Sequence, residues 1–311
     1  MKVLEEWGLK VKEFPTARGD FEYQKDHPEV RAQDVRDAFA DPEVAAIITT
    51  IGGNDAVRLL PLLDLETIRK HPKILMGYSD TTALHFALAG AGLVTFYGPS
   101  IMAGLSQMNA LEPELKEHVR QMLFGEFKGQ YKAYEQYANG CPDWGGGPQN
   151  IGKVKELHKN DGWHWLQGEG LHTGQLFGGC IELFHMISGT KWWPSADFWE
   201  EKVLFFETSE EVPSVDFVIY QLRSMGVQGV FKNLRGLIIG RARDYTDDQK
   251  QELETRVLDQ VKKEFSRPDL PVVANFDTGH TDPQFILPLN CLLTINCDNK
   301  TITLSESPTQ P

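Results

Sequence analysis

Short apolar runs alternate with helical segments through residues 1–125, and this alternation restricts the fold more than any other feature of the chain. Residues 9–14, 45–50, 73–76 and 93–96 read as strands, and 30–39, 59–70 and 79–89 as helices. Strands separated by helices of that length pair in parallel, because a helical crossover returns the chain to the same end of a sheet. The expected first domain is therefore α/β, a flavodoxin/Rossmann-like parallel sheet covered on both faces. Residues 126–168 break the pattern with Gly129, Gly140, Gly145-Gly146-Gly147-Pro148 and Asn150, while Tyr131, Tyr134, Tyr137, Trp144, Trp163 and Trp165 add aromatic surface. Such a stretch is expected to be a connecting and substrate loop, or a linker packed on its neighbour. Residues 169–311 carry shorter strands at 203–206, 237–239, 271–274, 285–287, 292–295 and 301–304, with helices at 215–225 and 247–265. They predict a C-terminal domain of mixed α+β type, largely β.

At 311 residues and 41% hydrophobic content, two cores are the expectation. A net charge of −13, from 44 acidic against 31 basic residues, argues against a nucleic-acid partner, since phosphate neutralisation takes clustered Lys and Arg. There is no run of 18 apolar residues, and Met1-Lys2-Val3-Leu4-Glu5-Glu6 has no signal-peptide core. A soluble, cytoplasmic protein that engages no membrane is expected. Cys141, Cys180, Cys291 and Cys297 form no Cys-x-x-Cys pair, and the nine histidines include no His-Glu-x-x-His helix. Free thiols, no metal and no cofactor follow.

Sites in parallel sheets gather at the carboxyl ends of strands, where two turns fall: Ile51-Gly52-Gly53-Asn54-Asp55 and Gly77-Tyr78-Ser79-Asp80. The second turn leads from strand to helix with a serine at the bend, the way a nucleophilic hydroxyl is presented over the positive end of a helix. Thr81 stands where the hydrolase elbow has a second glycine, and Ser79 or Asp80 as a plain helix N-cap is the competing reading. Gly52-Gly53 leaves backbone N–H groups uncovered, as an oxyanion or phosphate site requires, or simply makes a turn capped by Asn54 or Asp55.

A serine needs a base, and the base an orienting group. His280 lies in the loop Phe276-Asp277-Thr278-Gly279-His280-Thr281-Asp282-Pro283 after one strand, and Glu207 closes another. Both are strand-end groups able to meet the serine; a surface histidine and a solvated carboxylate are the alternatives. His85 and His185 fall on helical stretches, where packing accounts for them, whereas His158, His164 and His172 flank the aromatic segment.

Together, Ile51-Gly52-Gly53-Asn54, Gly77-Tyr78-Ser79-Asp80-Thr81-Thr82-Ala83-Leu84, Tyr97-Gly98-Pro99 and Asp277-Thr278-Gly279-His280 resemble the LD-carboxypeptidase family of serine peptidases, which includes the microcin C immunity peptidases. The resemblance runs over nearly the whole chain. It implies Ser79 as nucleophile, His280 as base and Glu207 as its orienting acid, split between two domains. The oxyanion donors it implies are the backbone N–H groups of Asp80 and Gly53, with the Asp80 carboxylate capping the helix. Gly162-Trp163-His164-Trp165-Leu166-Gln167-Gly168 and Gly189-Thr190-Lys191-Trp192-Trp193-Pro194 look more like the immunity branch, whose members cleave the amide between a terminal aspartyl group and a nucleotide-like moiety. The implied substrate is a small peptide or peptidyl-nucleotide, and the implied assembly a homodimer. An aromatic face suits a stacked base, so Trp163, Trp165 and Trp193, with Asn54, are the expected substrate contacts; core packing of any one tryptophan is the alternative.

Members of the family normally begin with a further strand and helix, whereas this chain enters at Leu4-Glu5-Glu6-Trp7-Gly8-Leu9-Lys10-Val11, so a shorter sheet with exposed apolar surface is expected. Two other functions stay open. One is a muropeptide LD-carboxypeptidase acting on a murein tetrapeptide. The other is a non-catalytic two-domain protein that closes on a small molecule.

Overall fold

The computed structural model describes residues 2–111, 113–142 and 148–309; Trp144 and Gly145-Gly146-Gly147 of the connecting segment lie outside them. Strands β1 (Ala46–Ile48), β2 (Ile74–Gly77) and β3 (Thr95–Tyr97) pair in parallel. The helices Pro28–Ala40 and Thr82–Gly90 flank them. Every residue from Thr82 to Ala89 is buried, so this largely apolar helix lies inside the molecule.

The connecting segment is more regular than its glycines suggest. It forms β4 (Gly129–Tyr131), β5 (Gln136–Ala138), β6 (Leu157–Lys159) and β7 (His164–Gln167). Then come β8 (Leu171–Cys180), β9 (Lys202–Glu207), β10 (Gly236–Gly240), β11 (Val272–Phe276), β12 (Leu287–Leu289), β13 (Leu292–Asn296) and β14 (Thr301–Leu304). Eight of these strands form one sheet in the order β4-β14-β13-β8-β9-β10-β11-β7. Its centre, β8 to β11, is parallel and its flanks are antiparallel. The fold is thus α/β in its N-terminal part and largely β in the C-terminal sheet.

The two sheets are joined rather than merely adjacent. β12 leaves the C-terminal part of the sequence and pairs antiparallel with β3, completing the first sheet as β1-β2-β3-β12. Cys180, at the end of β8, donates its N–H to Thr82 Oγ1 at 3.1 Å, which docks the helix after Ser79 on the second sheet. One hydrophobic cluster runs from Val3 to Leu304 across both sheets. Val203, Leu204, Phe205 and Phe206 of β9 are wholly buried in it, each worth about 1.5–3 kcal/mol of burial.

Three local expectations are corrected. Residues 9–14 form no strand: Val11 is 36% exposed and the alternating lysines face no partner sheet, so the run stays extended before the short helix Pro15–Arg18. The helix expected at 59–70 is two pieces, Ala56–Leu62 and Leu65–Lys70, because Pro61 ends the first turn pattern and Asp64 caps the second from Thr67 N–H. β8 has no counterpart among the expected strands; Gly174, Gly178 and Gly179 dilute its apolar pattern. Among the described residues no helix is long and apolar enough to cross a membrane, and Cys180, Cys291 and Cys297 are free thiols.

Candidate active site

The carboxyl ends of the parallel strands in both sheets converge on one place. From the first sheet come Ser79, two residues past β2, and Tyr97, the last residue of β3, which pairs with Gly77. From the second come Glu207, the last residue of β9, and His280, four residues past the end of β11.

Ser79 is half-buried, at the first position of a short turn (Ser79–Thr81) that leads into the helix Thr82–Gly90. Its φ of 59° is left-handed, a conformation that costs a non-glycine residue about 1–2 kcal/mol. Neither Ser79 nor Asp80 caps its own helix: the positions before both helical segments make no side-chain cap bond. The Asp80 carboxylate instead reaches across to the neighbouring turn, where Oδ2 accepts from Asp55 N–H at 3.1 Å and Ala56 N–H at 2.9 Å. This ties the Gly52-Gly53-Asn54 loop down beside the serine. Burial raises the Asp80 pKa, and the two backbone bonds oppose that rise.

Gly52 is glycine because of the serine. A Cβ there would stand 3.0 Å from Ser79 Cβ, 3.1 Å from Ser79 Oγ and 3.6 Å from Asp80 N. The absent methyl group leaves open the space beside the Ser79 hydroxyl and the Asp80 N–H. Asn54, next but one on this loop, is exposed.

His280 Nδ1 lies 2.7 Å from Glu207 Oε2, with the two side chains 3% and 0% exposed. The loop is shaped for that contact: Gly279 has φ +100°, and a Cβ on it would overlap Glu207, 2.7 Å from both its Cβ and its carboxyl carbon. The imidazole also meets the Tyr78 ring edge-on, centroids 4.9 Å apart. The buried Nε2 lies 3.1 Å from Glu210 Oε2, at an angle that makes no hydrogen bond. Burial works to lower the His280 pKa, but the charge and hydrogen bond of Glu207 and the charges of Glu210 and Glu182 outweigh it, leaving it raised. Asp282, on the same loop, is pushed up to about 6 by burial, against the opposing charges of Arg243 and His280.

Three residues to which the sequence assigned no role lie at the site. Tyr97 Oη, wholly buried, donates to Glu207 Oε1 at 2.5 Å and accepts the Ser79 N–H at 3.2 Å. The buried pair of Arg241 with Asp277, 2.6 Å apart, holds the loop that carries His280. Glu210 is half-exposed, and its carboxylate lies 3.8 Å from the Arg243 guanidinium. A tyrosine closing a strand just before Gly98-Pro99 was the one sequence signal available for these; Arg241 and Glu210 read as ordinary surface charges.

The tryptophans separate. Trp163 donates Nε1–H to Asp277 Oδ2 at 2.8 Å and packs on Phe276, so it braces the His280 loop. Trp165 is half-buried on β7, opposite Val273. Trp193 stacks on Phe86 at 5.4 Å and 14°, so one of its ring faces is already used in packing. His85 is a core residue, bonded to Thr95 Oγ1 and the Gly77 carbonyl and lowered to about 4 by burial, while His185 is exposed on its helix.

A strained serine at one set of strand ends and, at another, an imidazole locked to a buried carboxylate are linked through the Tyr97 hydroxyl, and these are the residue types of a serine-type hydrolase. The profile of the LD-carboxypeptidase N-terminal domain matches residues 1–98, and that of the LD-carboxypeptidase C-terminal domain matches residues 173–295. The chain is 30% identical, over 94% of its length and 82% of the relative's, to the microcin C7 self-immunity protein MccF of Escherichia coli. It therefore belongs to the LD-carboxypeptidase family and is a serine carboxypeptidase. It is also 28% identical, over 97% of its own length and 84% of the relative's, to a protein of Bacillus subtilis described as a probable murein peptide carboxypeptidase. Among solved structures, an MccF-like protein from Streptococcus pneumoniae in complex with AMP superimposes with a TM-score of 0.85 at 27% identity, covering 99% of this chain and 92% of that one. MccF in complex with aspartyl sulfamoyl adenosine gives 0.81 at 28% identity, covering 99% and 90%.

Proposed function

We infer that the protein hydrolyses the C-terminal amide of a small peptidyl or peptidyl-nucleotide substrate, with Ser79, His280 and Glu207 as its catalytic triad. The buried His280–Glu207 pair, linked through Tyr97 to the backbone of Ser79, carries the reading. Ser79 Oγ attacks the scissile carbonyl while His280 Nε2 takes its proton, and the oxyanion lies on the N–H groups of Gly53 and Asp80. His280 then returns the proton to the leaving amine, and water releases the acyl group by the same steps in reverse. Trp163 or Trp165 supplies the face for a nucleobase. The MccF complex with aspartyl sulfamoyl adenosine and the AMP complex of its S. pneumoniae counterpart favour the nucleotide substrate.

The B. subtilis relative supports a second reading, a murein tetrapeptide as substrate. Assaying a peptidyl-aspartyl-adenylate analogue and the tetrapeptide side by side separates the two. The nucleotide reading expects the larger kcat/KM on the analogue, and the reverse ratio overturns it. A cytoplasmic location and a homodimer belong to the same proposal, the latter checked by sedimentation of the purified protein.

The imidazole has to be neutral to take the serine's proton, so activity is expected to fall as pH drops through the raised His280 value. Glu207, Glu210, Glu182, Tyr78 and Asp282 all face or neighbour this ring. Glu210→Gln removes one negative charge that favours the imidazolium, and should move the acid limb of kcat/KM to lower pH. The expected displacement is less than about one pH unit, because an exposed charge is screened. An unmoved limb would show that Glu210 stands away from the ring in solution.

A further inference from the structure

We propose that Tyr97 is a positioning residue of the hydrolytic machinery, whose hydroxyl joins the backbone of the nucleophile to the acid of the triad and so fixes which nitrogen of His280 holds the proton. The proposal rests on the triad reading above and adds to it a residue that the sequence offered only as part of a turn.

The direction of each hydrogen bond decides the matter. A backbone N–H can only donate, so at 3.2 Å the Ser79 N–H makes the Tyr97 oxygen an acceptor. The phenolic proton is then left to point at Glu207 Oε1, 2.5 Å away. Glu207 accepts there with one oxygen and, 2.7 Å away, faces His280 Nδ1 with the other. An ionised carboxylate with both oxygens accepting requires the proton of the neutral imidazole to be on Nδ1. Nε2 is left as the basic nitrogen, and it is the buried ring atom that makes no hydrogen bond. One chain of donors, from Ser79 N–H through the phenol to the carboxylate, thus sets the tautomer that can deprotonate Ser79 Oγ.

The phenol is built for this duty. It is wholly buried, and its ring is held by Phe205 at 5.1 Å, His85 at 5.7 Å and Tyr78 at 6.5 Å between centroids. Burial, then the nearby Glu207 charge, keeps its pKa well above the ordinary tyrosine value, so the donor is retained wherever the histidine titrates. Tyr97 also ends the strand beside the one that delivers Ser79, and Glu207 ends a strand of the other sheet. The hydroxyl therefore bridges the two sheets at the reacting centre.

Tyr97→Phe keeps the packed ring and removes only the hydroxyl. Its kcat on the preferred amide should fall about ten- to a hundredfold, the range of one hydrogen bond to a charged group, with KM changed less than about twofold. The acid limb of kcat/KM should move to higher pH, because Glu207 relieved of the phenol proton holds the imidazolium more tightly. Glu210, Glu182, Tyr78 and Asp282 face the ring equally in both proteins, so the difference reports on Tyr97. A purely structural role would lower the unfolding midpoint without moving that limb. Replacing Tyr97 by 3,5-difluorotyrosine, which keeps the hydroxyl and makes it a stronger donor, should move the limb the other way, and serves also if the phenylalanine variant does not fold. Unchanged kcat and limb in both variants overturn the proposal. Hydrolysis that survives Ser79→Ala would instead overturn the triad itself.

Discussion

Replacing Ser79 by alanine is expected to lower kcat for amide hydrolysis by at least about ten-thousandfold while the protein stays folded. The size follows from what is lost, the attacking oxygen itself. The fold should survive because Ser79 contributes its backbone, not its side chain, to the contacts that hold the turn. Its N–H bond to Tyr97 remains, and an alanine methyl occupies the place of the serine Cβ against Gly52. Single-turnover assays on the wild type and the variant, beside thermal unfolding of each, measure both halves. Substantial turnover by a folded variant would falsify the assignment of the nucleophile. Labelling by a serine-directed acylating reagent should be lost in parallel.

The second large effect is expected at Glu207, where glutamine should reduce kcat by about a thousand- to ten-thousandfold with little change in KM. Both carboxylate oxygens accept, one from Tyr97 and one facing His280 Nδ1, in a place closed to water. A carboxamide has a single oxygen. If its NH2 group faces Tyr97, it meets a hydroxyl already accepting from Ser79; if it faces His280, it demands a bare Nδ1 and moves the ring proton to Nε2. Either arrangement disables the base without removing a side chain from the core. A pH profile that keeps the wild-type acid limb and amplitude would count against the role given to Glu207.

Much of this centre was legible in the chain because Ser79, Glu207 and His280 each close or follow an apolar strand, and a strand followed by a polar or glycine-bearing turn is a local pattern. The resemblance then supplied their grouping. What stayed hidden depends on pairings between distant positions. Tyr97 and Glu207 are 110 residues apart, and Arg241 and Asp277 are 36. A buried arginine looks like a solvated one until its partner is in place. The same limit explains β12, whose three residues carry no mark of the sheet they join. The resemblance groups Trp193 with Trp163 and Trp165, and its packing on Phe86, Phe184 and Trp199 distinguishes it.

The anchorage of Asp277 has a consequence for how such an enzyme can change. Arg241 reaches it from the end of β10, but Trp163 and Asn160 come from the stretch that neither family profile covers. Arg241 in turn lies under the Tyr137 ring, 4.3 Å from its centroid, and Tyr137 belongs to that same stretch. If His280 is the base of the proposed mechanism, remodelling this stretch to admit a different leaving group would disturb the anchorage of the loop that carries it, so substrate range and proton transfer would change together.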